Sequence, residues 1–186
     1  MSHLKEFVHD VRVVLSSIRG NAELVEMISD DEEIKSHVSR IIRGVDFLEN
    51  LMSSFERVME GNVSLEVVDP CSIVEEVLET LKAEFEILER DFTFRCDGKR
   101  VRVDRILLYR ILLNLIGNSL RHGSGTVRIR VFEGNITIED DGEWNSRKKG
   151  LGLSIVEKLV EMMGGSFEIV DKNDGKSVKV RLEVVR

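Results

Sequence analysis

Leu112-Leu113-Asn114-Leu115-Ile116-Gly117-Asn118-Ser119-Leu120-Arg121-His122 is an apolar run interrupted by two amides. Asn114 and Asn118 lie four residues apart, so a helix sets them on one stripe while Leu112, Leu113, Leu115, Ile116 and Leu120 are buried. Asp104 supplies a capping side chain upstream, and the spacing predicts a helix from there to about His122. Interior amides are destabilising unless something pairs them.

Working outward, short alternating strands flank this helix. Val63 to Val68, Phe92 to Cys96 and Val101 to Val103 read as strands, and Pro70 starts a helix running to about Leu88. Thr126 to Phe132 and Asn135 to Glu139 form a strand pair turned at Glu133-Gly134. A helix from Leu151 to Met163 follows, then two strands with turns at Gly164-Gly165 and Asn173-Asp174-Gly175. The sum is a mixed sheet with helices on one face, an α/β sandwich.

Three features of this half carry chemistry. The amides Asn114 and Asn118 either cap neighbouring backbone or offer hard oxygen ligands suited to Mg2+. Asp140 emerges at a strand end with Gly142 two residues on, which is either a plain Asp-Gly turn or a carboxylate placed to accept from an exocyclic amine such as that of adenine. Gly150 and Gly152 open a helix whose free N–H groups and dipole attract phosphate, or they simply join loop to helix. Arg121 and His122 end the amide helix, where they meet phosphate or serve as solvated cations favoured by the dipole. The order of these pieces describes a nucleotide pocket better than it describes separate coincidences.

The N-terminal half has another period. Leu4, Val8, Val11, Leu15, Ile18, Ala22 and Val25 alternate spacings of four and three, and Ile34, Val38, Ile41, Val45, Leu48, Met52 and Phe55 repeat the rhythm. Ser29-Asp30-Asp31-Glu32-Glu33 between them carries caps and acids suited to a helix start, so an antiparallel helical hairpin is expected, with Gly20 a candidate bend. Two narrow stripes cover each other only partly, and pairing two copies into a dimeric four-helix bundle buries the remainder. Gly61-Asn62 punctuates the change of period. Residues 1–60 therefore form a hairpin domain and 61–186 the sandwich, an α+β chain overall.

With 186 residues, 42% of them hydrophobic, the chain can build a core. A net charge of -7 disfavours nucleic acid as a partner. No apolar run approaches the ~18 residues of a membrane helix, and no signal pattern opens the chain, so cytoplasmic residence is expected, without membrane insertion and with input from a separate sensor protein. Cys71 and Cys96 have no metal-ligand spacing and read as idle thiols in a reducing compartment. Charged residues at 33%, the absence of Gln and a single Pro lean toward a heat-adapted source.

The stretch Leu112 to His122 resembles the N box of the sensor histidine kinases, whose ATP-binding domain is shared with type II topoisomerases, Hsp90 chaperones and MutL proteins. Asp140-Asp141-Gly142 is similar to the first G box, and Gly150-Leu151-Gly152-Leu153-Ser154-Ile155-Val156 to the second. The resemblance implies a Bergerat-type ATP-binding fold behind a dimerisation and phosphoacceptor hairpin. It implies ATP and Mg2+ as cofactors, Asn118 as the metal ligand, Asp140 as reader of the adenine amine, and Gly150 and Gly152 as accommodating phosphates. Counting Val8 as a seam position turns His9 toward water. His9-Asp10 matches the family's phosphorylated histidine and following acid, with Asp10 accepting the Nδ1 proton and Nε2 left as nucleophile. The phosphoryl group would then pass to an Asp of a separate response regulator receiver domain.

Departures from the pattern set further expectations. Val13 and Val14 stand where commonest members carry Thr or Asn and then Pro, so weak phosphatase activity is expected, and Val13 becomes an apolar docking spot for the receiver. The segment Glu143 to Lys149 is short for a nucleotide lid. Trp144 within it either covers adenine or packs on the sheet, and Arg147, Lys148 and Lys149 either reach the γ-phosphate or are solvated. The competing readings are a serine kinase of the anti-sigma type, which has no use for His9, and an ATP-independent histidine phosphotransfer protein or dimeric scaffold with a degenerate pocket.

Overall fold

The computed structural model describes residues 2–59, 63–123, 125–142, 151–172 and 175–185. The chain divides into two compact units, Met1–Gly61 and Asn62–Arg186. The first is a helical hairpin of α1 (Ser2–Ile28) and α2 (Glu32–Met59), with α1 continuous through Gly20. Asp31 starts α2: its carboxylate accepts from the backbone N–H of Glu33 at 2.8 Å, and Glu32 and Glu33 occupy the first turn, where the helix dipole favours acids.

Only half of each heptad stripe is covered. Val8, Leu15 and Ala22, seven residues apart, are buried against α2, as are Val38 and Val45 against α1. Ile18 and Val25 on α1, and Ile34, Ile41 and Leu48 on α2, again at sevenfold spacing, remain exposed. Arg12 reaches across to Glu56 and Ser53, and Arg19 to Asp46 at 2.7 Å and Glu49 at 3.4 Å, so charged pairs seal one flank of the seam.

In the second unit, β1 (Glu66–Val68) pairs antiparallel with β3 (Val101–Val103) as a two-stranded ribbon. The strand expected from Val63 is confined to its last three residues; the backbone N–H of Ser64 instead donates to Asp104 at 3.0 Å. The main sheet has five strands in the order β2-β4-β5-β7-β6: β2 (Phe92–Cys96), β4 (Val127–Phe132), β5 (Asn135–Asp140), β7 (Gly175–Arg181) and β6 (Ser166–Lys172). β2 and β4 run parallel; the other neighbours are antiparallel. Glu133 and Gly134 both take positive φ, as a two-residue hairpin turn between β4 and β5 requires.

Three helices complete the unit: α3 (Pro70–Ile87), α4 (Arg105–His122) and α5 (Leu151–Met162). Val127, Ile129 and Val131 of β4 are buried while Arg128 and Phe132 between and beyond them are exposed, so helices cover one sheet face. α4 is the central piece. Leu107, Leu108, Ile111, Leu112, Ile116 and Leu120 are essentially inaccessible, and Asp104 caps the helix through the N–H groups of Ile106 and Leu107, each at 3.0 Å.

The two cysteines depart from expectation. Cys71, in the first turn of α3, and Cys96, at the end of β2, are joined as a disulfide with Cα atoms 6.0 Å apart. They are not idle thiols. A sequence separation of 25 says nothing of this pairing, which arises because α3 returns the chain along the β2 edge. Closing a loop of this length stabilises by roughly 3 kcal/mol in the chain-entropy account. Replacing both cysteines with serine, or reducing the protein, is expected to lower the denaturant midpoint of the second unit and to steepen the slope, because the unfolded chain without its cross-link is more expanded. Equilibrium urea unfolding with and without reductant measures this.

Candidate functional site

α4 and β5 bring most of the expected pocket residues together. Asn114 and Asn118 lie half-buried on one stripe of α4, and the Asn118 amide donates to Asn114 Oδ1 at 2.7 Å. The amides thus satisfy each other rather than capping backbone. Asn118 Oδ1 receives only a long contact of 3.4 Å from the Arg121 guanidinium, so it keeps a lone pair for a further partner. Arg121 also approaches Glu84 of α3 at 3.5 Å, with its side chain 33% exposed.

Asp140 closes β5 with its side chain at 0% exposure. Its Oδ1 accepts the backbone N–H of Gly142 at 2.8 Å, and its Oδ2 is buried without a hydrogen-bond partner. Lys176, its register partner on β7, sets Nζ 3.5 Å from Oδ2 and is itself only 3% exposed. A ligand reaches this carboxylate only after the strand end is uncovered.

Gly142 has a structural reason beyond access for a flat ring. A Cβ there would meet the carbonyl oxygen of His122 at 2.7 Å and Asp140 Oδ1 at 2.8 Å, so only glycine lets the end of β5 touch the end of α4. Gly175, at φ +135°, plays the same part on the other side, where a Cβ would fall 2.1 Å from the Asp140 carbonyl oxygen.

Arg90 was not legible as a site residue. Its guanidinium, almost wholly buried, donates to the carbonyl oxygens of Leu120 at 2.9 Å, Gly125 at 2.6 Å and also Gly123, and lies 3.8 Å from Asp141. Asp141 in turn accepts the N–H of Gly125 at 2.8 Å. One arginine therefore binds the α4 end, the following loop and the residue after Asp140. Lys176 was likewise missed. Each is one basic residue among 27, and no local pattern singles out either.

Gly152 sits in the first turn of α5, which packs against α4 and β6. Gly150, Trp144 and Arg147 to Lys149 fall outside the described residues. On the hairpin unit, His9 and Asp10 are exposed, at 76% and 73% for their side chains, with His9 Nδ1 3.4 Å from Asp10 Oδ1. Val13 and Val14 are both 57% exposed.

Residues 103–186 match the family described as histidine kinase-, DNA gyrase B- and HSP90-like ATPase. Over a longer stretch that takes in most of the chain, it is 27% identical over 194 residues to the sensor histidine kinase HprS of Escherichia coli strain K12, covering 87% of this chain and 42% of that protein. Residues 103–186 thus carry the ATPase module, and the relatives that are similar along most of the chain are sensor histidine kinases. The chain's fold is also that of solved kinases. Full-length ShkA in complex with AMPPNP matches with a TM-score of 0.68 at 20% identity, over 99% of this chain and 46% of that one. The histidine kinase ThkA in complex with the response regulator TrrA matches with a TM-score of 0.64 at 18% identity, over 97% and 60%. The chain spans less than half the length of the curated relatives it matches. Among the described residues no helix is long and apolar enough to cross a membrane.

Partial burial of its ring, then the neighbouring cations Lys176 and Arg121, push the His122 imidazole below its ordinary 6.5, with Asp140 opposing them. Above that value the ring is neutral whether the chain is folded or not. As pH falls below it, the unfolded chain takes up a proton that the folded core resists, so folding loses stability. His122→Gln is expected to flatten the fall in melting temperature between about pH 6.5 and 5. Thermal melts across that range, with the His122 ring titrated by NMR, check the sign.

Proposed function

We propose that this chain is an ATP-dependent protein histidine kinase of a two-component system, which phosphorylates His9 and passes the phosphoryl group to an Asp on a separate response regulator. The observation that carries the reading is the carboxylate of Asp140 at a buried strand end of an ATPase-family unit, with one oxygen fixed by Gly142 and the other left open to a donor. That arrangement suits the exocyclic amine of adenine. A phosphotransfer relay would have no use for it.

Asn118 would hold Mg2+ through its oxygen, assisted by Asn114, which fixes the amide orientation. Bound Mg2+ supplies charge compensation on the phosphates. Gly150 and Gly152 accommodate the phosphates at the N-terminus of α5, with Arg121 and His122 as further cationic or donor groups. On the hairpin, His9 Nε2 attacks the γ-phosphorus while the bond to the β–γ bridging oxygen breaks and ADP departs. Asp10, beside Nδ1, holds that ring proton and balances the charge that develops on the imidazole. His9 in water pays no desolvation penalty before reaction, and phosphohistidine remains accessible to a receiver.

The hairpin is read as the dimerisation and phosphoacceptor domain, residues 1–60, and residues 61–186 as the catalytic domain. The uncovered sevenfold row of Ile18, Val25, Ile34, Ile41 and Leu48 supports a homodimeric four-helix bundle, because a second copy buries it by the packing that already covers Val8 and Leu15. A shallow apolar depression lined by Asp10, Val11, Val14 and Leu15, beside the exposed Val13, suits receiver docking next to His9. A cytoplasmic setting, with input from a separate sensor protein, completes the reading.

Incubation with γ-labelled ATP and Mg2+ is expected to give acid-labile, base-stable label on the wild-type chain. His9→Ala abolishes it, and Asn118→Ala lowers the rate by roughly 10- to 100-fold, the scale for disturbing a metal-holding group. Label that persists in His9→Ala refutes the assignment.

Val13 has no group to orient water, so the protein is expected to leave the lifetime of a phosphorylated cognate receiver nearly unchanged. Receiver decay followed with and without the kinase measures this, and Val13→Thr is the variant expected to accelerate it.

A further inference from the structure

Lys176 and Asp140 bury opposite charges at the end of the sheet, at 3% and 0% exposure, where packing alone would favour two apolar side chains. Their register across β5 and β7 makes the contact unavoidable. At 3.5 Å the ammonium lies close enough for strong attraction but beyond the 2.7–3.2 Å range of a good N–H···O bond. Oδ2 is accordingly buried without a hydrogen bond, while Oδ1 is held by Gly142. The other charged groups nearby are occupied or weaker. Asp141 faces Arg90, Glu139 pairs with Arg130 at 2.5 Å, and Arg121 and His122 at the α4 end are exposed.

We propose that Lys176 is a positioning residue that sets base specificity through Asp140, its ammonium balancing the carboxylate while leaving Oδ2 open as an acceptor for a purine 6-amino group. The role rests on the adenine-nucleotide reading above and extends it to a residue outside the matched motifs. A charge-balanced carboxylate only accepts, so it welcomes the N–H of a 6-amino purine and repels the oxygen of a 6-oxo purine. Removing the ammonium leaves the carboxylate buried without its counter-charge, so the pair no longer presents a fixed acceptor to the base. Discrimination at position 6 is lost with it.

The test is calorimetric titration of the full chain with MgATP and MgITP, nucleotides whose bases differ in a 6-amino against a 6-oxo group. Wild type is expected to prefer ATP on the order of 100-fold or more, the scale for a site built around one hydrogen bond. Lys176→Met narrows that ratio at least tenfold, whereas Lys176→Arg, which keeps the charge, holds it within about threefold. General damage to the fold would weaken both nucleotides and leave the ratio alone. Circular dichroism reports whether Lys176→Met folds. If it does not, the double variant D140N/K176M removes both charges together and is expected to bind the two nucleotides with little preference. A folded Lys176→Met that keeps the wild-type ratio overturns the proposal. So does Lys176→Arg losing as much as Lys176→Met, or a double variant that still discriminates. Wild type that binds neither nucleotide overturns the adenine reading itself, and this role with it.

Discussion

The end of α4 cannot move away from the end of β5. Arg90 spends its buried guanidinium on the carbonyl oxygens of Leu120, Gly123 and Gly125, groups that a helix terminus leaves unpaired, while facing Asp141 just beyond the strand. Gly142 presses its bare backbone against the His122 carbonyl, and Gly175 presses against that of Asp140. These contacts fix both the rotation of α4 and its distance from the strand. The rotation matters because Asn114 and Asn118 project from one stripe only. A turn of the helix by one residue, about 100°, would carry them away from the pocket side and bring leucines in their place.

That clamp also accounts for a trade between stability and function at Asp140. A fully buried carboxylate with one oxygen unbonded is a poor way to hold a sheet together, and its lysine partner lowers the penalty without removing it. Neighbouring strands meet the cost. Ile136 and Ile138 on β5 and Val178 and Val180 on β7 pair across the sheet, all deeply buried, so the charged pair is confined to the outermost position of an otherwise apolar face of these two strands. Strain of this kind is tolerated at a strand end, where a ligand can relieve it.

Much of this was written in periodicity. The heptad rows of both hairpin helices, the caps at Asp31 and Asp104, the Glu133-Gly134 turn and the burial of Leu112, Ile116 and Leu120 follow from local rules. Asn114, Asn118, Asp140 and Gly142 were legible because each occupies a strand end or helix stripe where a polar residue needs a reason. Arg90, Lys176 and the Cys71–Cys96 bond were not. Each acquires its part from residues at least 25 positions away, or across a strand pair, and a lysine in an alternating strand reads as solvent-facing until the neighbouring strand is in place. Gly142 was found for an incomplete reason: the need for a bare backbone comes from the His122 carbonyl.

The disulfide bears on where such a chain can work. Cross-links of this sort are rare in reducing compartments, while the function proposed above draws nucleotide and receiver from the cytoplasm. The two requirements are reconciled in heat-adapted cells, whose intracellular proteins do carry disulfides, and the composition points the same way through its many charges and absent glutamine. Cys71 and Cys96 tie the first turn of α3 to the edge strand β2, at the opposite side of the sheet order from β7 and its Lys176. The bond therefore braces the strand edge, where parallel pairing through β4 alone holds β2, and leaves the end of β5 at Asp140 unconstrained. The cross-link thus stabilises one edge of the sheet and places no covalent constraint on the strand pair that carries Asp140 and Lys176.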